Sequence, residues 1–221
     1  MQSSVRRILP VAVLLAILPA KGSSQTVTGL PVLNSRVATG VTLAGEVGFP
    51  DSDYGEGTAY GVRASLGLGA FGFGVVLSSW DPEVAGADSR VAIGGSLNYK
   101  LLGGPLTPLS VTLQAGAESA SDPQADQIHV PIGVGIALTI PNPTLAIRPW
   151  LAPRLDVVNY NYSGSGGDET ESNFGISGGI EFGLLGGLGF GVAYDRVFAG
   201  DGFDPSVWSV GLNYTIKVPG L

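Results

Sequence analysis

From residue 36 to near the C-terminus, bulky apolar residues recur at every second position, and this one feature decides most of what the chain can fold into. In Arg36 to Phe49 the odd positions read Val37, Thr39, Val41, Leu43, Val47 and Phe49, and the even ones Ala38, Gly40, Thr42, Ala44, Glu46 and Gly48. A period of two is that of a β-strand, whose successive side chains point to opposite faces. The same alternation returns in ten segments, the last being Trp208, Val210, Leu212, Tyr214, Ile216 and Val218. No helical period interrupts them.

The question is then which face is inside. A soluble sandwich or lipocalin-like barrel buries its bulky face and wets the other with charge. Here the second face is Gly, Ala, Ser and Thr with sparse ions. Only 13% of the 221 residues are charged, and 35 are Gly, against about 25% charged in an ordinary soluble domain. Bulk therefore belongs outside, against lipid. The connections agree: Gly69-Ala70, Gly103 to Pro108, Pro141 to Pro143 and Leu185 to Gly187 are short and uncharged. They alternate with longer loops at 50–58, 81–88, 119–127, 160–171 and 199–205, which hold 13 of the 18 acidic residues and no Lys or Arg. Short turns at one end, long polar loops at the other and an even strand number are the plan of an outer-membrane barrel. The expected fold is all-β, a closed antiparallel transmembrane β-barrel of ten strands. Pro131, Pro149 and Pro153 fall inside the sixth and seventh segments, where Pro cannot donate to a ladder. Bulges are expected there, and eight strands is the alternative if those segments fail to pair.

Ahead of the barrel, Arg6 and Arg7 precede the apolar run Ile8 to Pro19, followed by the small residues of Ala20-Lys21-Gly22. That is the pattern of a cleaved secretory signal, and the run is too short for the ~20 residues of a spanning helix. The expected organisation is a signal peptide over 1–22, a short periplasmic N-terminal segment over 23–35, and the barrel over 36–218. Removing Arg6, Arg7 and Lys21 leaves 8 basic residues (11 minus 3) against 18 acidic ones, which excludes nucleic acid as a partner. There is no Cys, hence no thiolate metal site or thiol nucleophile. No cofactor is expected.

Parity assigns the ions that point inward: Glu46, Arg63, Arg90, Lys100, Glu118, Arg148, Arg154, Asp156, Glu181, Asp195 and Lys217. They are nearly balanced in sign, which suits either a charge-lined pore or a lumen closed by ion pairs. A simple hairpin register sets Glu46 opposite Arg63 and Trp80 opposite Arg90, the second a cation–π geometry. Because so narrow a barrel is largely filled by side chains, the closed lumen is favoured. His129, the only histidine, falls between Glu118 and Asp156 in the same register. Carboxylate, imidazole and carboxylate, with Ser119 or Ser121 as a nearby hydroxyl, make a weak catalytic candidate; structural pairing is the favoured reading. The acidic loops supply hard oxygen ligands in Asp51, Asp53 and Glu56, and in Asp168, Glu169 and Glu171. These are weak Ca²⁺ candidates without an EF-hand spacing, so solvation is the expected role and no metal is assigned.

Over essentially all of the mature sequence the chain resembles the small bacterial outer-membrane β-barrel proteins. The last strand of that family carries an assembly signal of a polar residue, Gly, and alternating hydrophobic and aromatic residues, which Ser209, Gly211, Tyr214 and Ile216 match. Ile in place of a terminal aromatic, and the extension Lys217 to Leu221, depart from it. The resemblance implies the outer membrane of a diderm, Gram-negative bacterium, with the lipid bilayer and the barrel-assembly machinery as partners. The expected function is a non-enzymatic cell-envelope role, structural or surface-contacting, with an ion-paired lumen and acidic extracellular loops. The alternatives are a narrow, porin-like diffusion channel and, third, a barrel-wall lipid hydrolase.

Overall fold

Each alternating segment becomes one strand. The computed structural model describes residues 28–32, 37, 39–83, 88–104, 107–121, 125–140, 142–162, 168–200 and 202–218, so the expected signal peptide lies outside the described residues. The strands are β1 (Gly40–Pro50), β2 (Thr58–Leu68), β3 (Phe71–Asp81), β4 (Arg90–Gly104) and β5 (Thr107–Ser121). They continue as β6 (Ala125–Leu138), β7 (Leu145–Tyr162), β8 (Glu169–Leu184), β9 (Leu188–Phe198) and β10 (Ser206–Ile216). Every neighbour in sequence pairs antiparallel, and β1 pairs with β10 from Val41↔Ile216 to Pro50↔Val207, closing the ring. The barrel has ten strands, not eight.

The parity of the sequence is the parity of the wall. Val62, Ile93 and Leu212 are about 60% exposed on the outer surface, whereas Glu46, Asn98, Gln114 and Glu118 are buried within. Backbone donors and acceptors are spent in the closed ladder, which is what a wall facing hydrocarbon requires. Outward aromatics gather towards both rims: Phe49, Tyr194 and Trp208 at the long-loop end, and Phe71, Tyr99 and Tyr214 at the other. Tyr194 lies 4.6 Å from Trp208 and Phe71 5.1 Å from Tyr99 between ring centroids. Such girdles mark the two interfaces of an outer-membrane barrel.

The prolines act differently from expectation. Around Pro131 the β5–β6 ladder skips from Ala115↔Ile132 to Glu118↔His129, and near Pro153 the β6–β7 ladder skips from Gly133↔Arg154 to Ile136↔Leu151. In both places the register on either side is the same, so each missing N–H costs a rung rather than inserting a bulge. The register shifts lie instead in β4, between Lys100 and Gly104. The connection expected at 119–127 is also shorter, because β5 runs to Ser121 and β6 begins at Ala125.

The segment expected to lie in the periplasm departs most. Of residues 23–35 only 28–32 are described, and these five lie inside the barrel. Leu30 is fully buried and packs with Tyr54, Ala59, Val76 and Trp80 under the long-loop end. Eight strands already give an interior that side chains can fill. Ten leave more room, and this segment occupies part of it.

Candidate functional site in the lumen

Five strands contribute to one buried network. Glu118 on β5 sits directly opposite His129 on β6, and its Oε2 lies 3.0 Å from His129 Nδ1. On the other side the ring reaches diagonally, since His129 is opposite Val158 while Asp156 is opposite Pro131. His129 Nε2 is nevertheless 2.7 Å from Asp156 Oδ1. Arg154, two residues earlier on β7, donates from Nε to the same Asp156 oxygen at 2.8 Å. Its Nη1 and Nη2 each donate to Asp195 of β9 at 2.8 Å. Ser177 of β8 lies between them, accepting from Arg154 Nη1 and donating to Asp195 Oδ2. A Cβ on Gly175 would overlap the Asp156 carboxylate and lie 2.9 Å from the Arg154 guanidinium, so this wall position is kept bare for the pair.

His129, Arg154, Asp156 and Asp195 are all at most 4% exposed. Charges so far from water persist only when paired and hydrogen-bonded, and the alternation of acid and base along this relay supplies that. A second pair lies across the lumen. Glu46 faces Gly61 in the ladder and Arg63 faces Ala44, so the two meet on the diagonal. Arg63 Nε donates to Glu46 Oε1 at 3.1 Å and Nη2 to Oε2 at 3.3 Å.

The other inward ions are spread out. The Arg90 guanidinium lies 5.4 Å over Trp80, which it also faces in the ladder. Lys100 donates to Gly69 O at 2.9 Å. Arg148 is opposite Glu181, and both line an open vestibule at the short-turn end. Lys217 is not an inward residue: it follows the end of β10 and is exposed. In the assembly motif, Ser209 is buried inward while Tyr214 and Ile216 are about half exposed on the outer face.

A hydrolytic reading needs a hydroxyl within reach of a free imidazole nitrogen. Ser119 and Ser121 are exposed on the outer face, because neighbours of the inward Glu118 and Ala120 must point outward. Both ring nitrogens already engage carboxylates. The Ser177 hydroxyl, which sequence reasoning did not single out, belongs to Asp195.

Two of the loop acids, Asp51 and Asp53, are committed to the fold as well. Asp51 accepts from Tyr54 N at 3.1 Å, and from Ser206 N and Oγ at 3.0 and 2.6 Å. Asp53 accepts from Asp204 N at 3.2 Å. Both tie the first long loop to the last. The Glu56 carbonyl accepts from Trp80 Nε1. Glu171 is buried inward, while Asp168 and Glu169 stand exposed. Among the described residues no three metal-ligating side chains converge.

Comparison with known proteins agrees with the architecture. The family model described as outer membrane protein beta-barrel domain matches residues 35–215. No curated relative matches the chain. Among solved structures, the beta domain of the Bordetella autotransporter Brka is similar at a TM-score of 0.51 and 13% identity, covering 81% of this chain and 100% of that one. The outer membrane enzyme PagL is similar at a TM-score of 0.41 and 12% identity, covering 79% of this chain and 99% of that one. The Yersinia pestis attachment protein Ail is similar at a TM-score of 0.37 and 10% identity, covering 81% and 100%. At these identities the likeness concerns the fold alone.

Proposed function

The chain belongs to the outer membrane protein beta-barrel family, a protein of the bacterial outer membrane, and from that premise we propose that it is a non-enzymatic, non-conducting envelope barrel whose working surface is its acidic loop end. The observation that carries this reading is the relay Glu118–His129–Asp156–Arg154–Asp195, which crosses from β5 to β9. Ions that line a conducting pore are held apart in water; these are dehydrated against one another. With Glu46 and Arg63 also paired, the centre of the lumen is occupied by paired charge.

Export through a cleaved signal ending near Gly22, and insertion by assembly machinery that reads Ser209, Gly211, Tyr214 and Ile216, complete the proposal. The loops then meet the outside as a surface held together by Asp51 and Asp53. The narrow diffusion channel is the second reading, favoured by the open vestibule at the short-turn end. The lipid hydrolase has less support, because neither His129 nitrogen is free.

Ion conductance of the refolded full-length protein in a planar bilayer, at varied pH and salt, separates the first two readings. Silence from protein shown to be inserted supports the closed barrel. Stable open steps would replace it with the channel.

A further inference from the structure

The relay fills the β5–β9 side of the lumen, and Thr28–Val32 lies against β1 to β3. Its direction is set by its neighbours: Val37 lies against Gly72 near the short-turn end, a Cβ there coming within 3.2 Å of Val37 Cγ2. Val32 reaches Asp195, and Gly29 touches the wall at Ala59 and Trp80 under the long loops.

The wall is shaped to receive it. A Cβ on Gly61 would overlap Leu30 Cδ1, and one on Gly48 would lie 2.9 Å from Leu30 Cδ2. Side chains at these inward positions would crowd the segment.

The polar attachment is nonetheless slight. Among the described residues no backbone–backbone hydrogen bond joins 28–32 to a strand. Its polar contacts with the wall are Val32 N–H to Asp195 Oδ2 at 3.1 Å and Arg63 Nη2 to the Pro31 carbonyl at 3.4 Å. Neither ion depends on it: Asp195 keeps Arg154 and Ser177, and Arg63 keeps Glu46. Withdrawal therefore breaks no ladder and strands no charge.

We propose that Thr28–Val32 is a removable plug, and that its withdrawal joins the polar vestibule to the long-loop end as a path for small hydrated ions. The proposal rests on the closed-lumen reading and names the part that closes it. The bared path would run past Gly48 and Gly61, with Glu46 and Arg63 at its side.

The chain has no cysteine, which permits a clean test. A Cβ at Gly61 lies 3.6 Å from Leu30 Cγ, and Leu30→Cys removes the methyl that it would overlap. The pair L30C/G61C should therefore crosslink in the folded full-length protein, and the oxidised protein should pass no current in potassium chloride. Leu30→Lys and Leu30→Glu, each of which puts a charge into the apolar pocket of Tyr54, Ala59, Val76 and Trp80, should each expel the plug. Either variant, shown to be folded by its change of electrophoretic mobility on heating, should give open steps that the wild type lacks. Failure of the pair to crosslink in folded protein overturns the placement of the plug. Silence from a folded expelling variant overturns the plug while leaving the closed lumen standing. Steps from the crosslinked protein overturn the closed lumen itself.

Discussion

Arg154 and Asp195 are 41 residues apart in the chain and on strands separated by β8, yet they share two hydrogen bonds of 2.8 Å in the middle of the barrel. The guanidinium is a planar fork that also reaches Asp156, so one side chain ties β7 to β9 and holds two buried carboxylates. Removing one member of a buried pair leaves the other charge uncompensated, at a cost of about 3–5 kcal/mol. Arg154→Ala should lower the midpoint of urea unfolding in detergent accordingly. Arg154→Lys should recover only part of it, because a point cation cannot bridge both acids in the same geometry. Lys100→Ala, which loses a contact to one turn carbonyl, should change stability by no more than ~0.5 kcal/mol. Equal effects of the Arg154 and Lys100 variants would mean that the relay does not hold the barrel together.

His129 separates a structural role from a catalytic one. A neutral imidazole has one donor and one acceptor nitrogen, and two carboxylates around it are satisfied together only when both nitrogens donate. A ring so placed has no nitrogen free to take a proton from a hydroxyl. His129→Gln should therefore destabilise the protein by about 1–3 kcal/mol, the cost of leaving a buried acceptor unsatisfied. Fatty-acid release from phospholipid or lipopolysaccharide vesicles should be at background for both wild type and variant. Release by the wild type that the substitution abolishes would reinstate the hydrolase.

How much of this was legible in the sequence depends on the range of the interaction. The outward rows and the ten strands follow from a local rule, that side chains alternate, and the rule survives Pro131 and Pro153 because a missing rung does not shift register. The same rule excludes Ser119 from the site, since it is next to Glu118 and must face the other way. The Glu46–Arg63 and His129–Asp156 contacts are diagonal, and long side chains make them without exact register. The plug had no periodic signature: Thr28 to Val32 carries one Pro and no alternation long enough to read. Its trace was negative, in the inward glycines at 48 and 61, which from sequence alone imply only a narrow lumen.

That complementarity gives a prediction independent of conductance. Gly61→Ala puts a methyl where Leu30 Cδ1 lies, and overpacking of this kind costs about 1–3 kcal/mol. Leu30→Ala empties the pocket formed by Tyr54, Ala59, Val76 and Trp80, at about 2–5 kcal/mol. Because each change relieves the other, the double variant should be more stable than the sum of the single effects by ~0.5 kcal/mol or more, the scale of coupling between residues in contact. Strict additivity in unfolding midpoints would place Leu30 away from Gly61.

The last prediction concerns the loops. Asp51 spends one carboxylate oxygen on Tyr54 N and the other on the amide and hydroxyl of Ser206, so it joins the first long loop to the start of β10. Asp53 does the same with Asp204 N. A Ca²⁺ ion seeks six to eight oxygens and would have to take these acceptors from donors that would then be left unpaired. Millimolar Ca²⁺ should therefore leave the melting temperature unchanged. Asp51→Ala should cost about 1–3 kcal/mol by orphaning its donors and should open the 51–57 loop to protease on intact cells. Asp51→Asn, which keeps one acceptor oxygen, should fall between the two. A rise in melting temperature with Ca²⁺ that Asp51→Ala removes would turn the loop staple into a cation site.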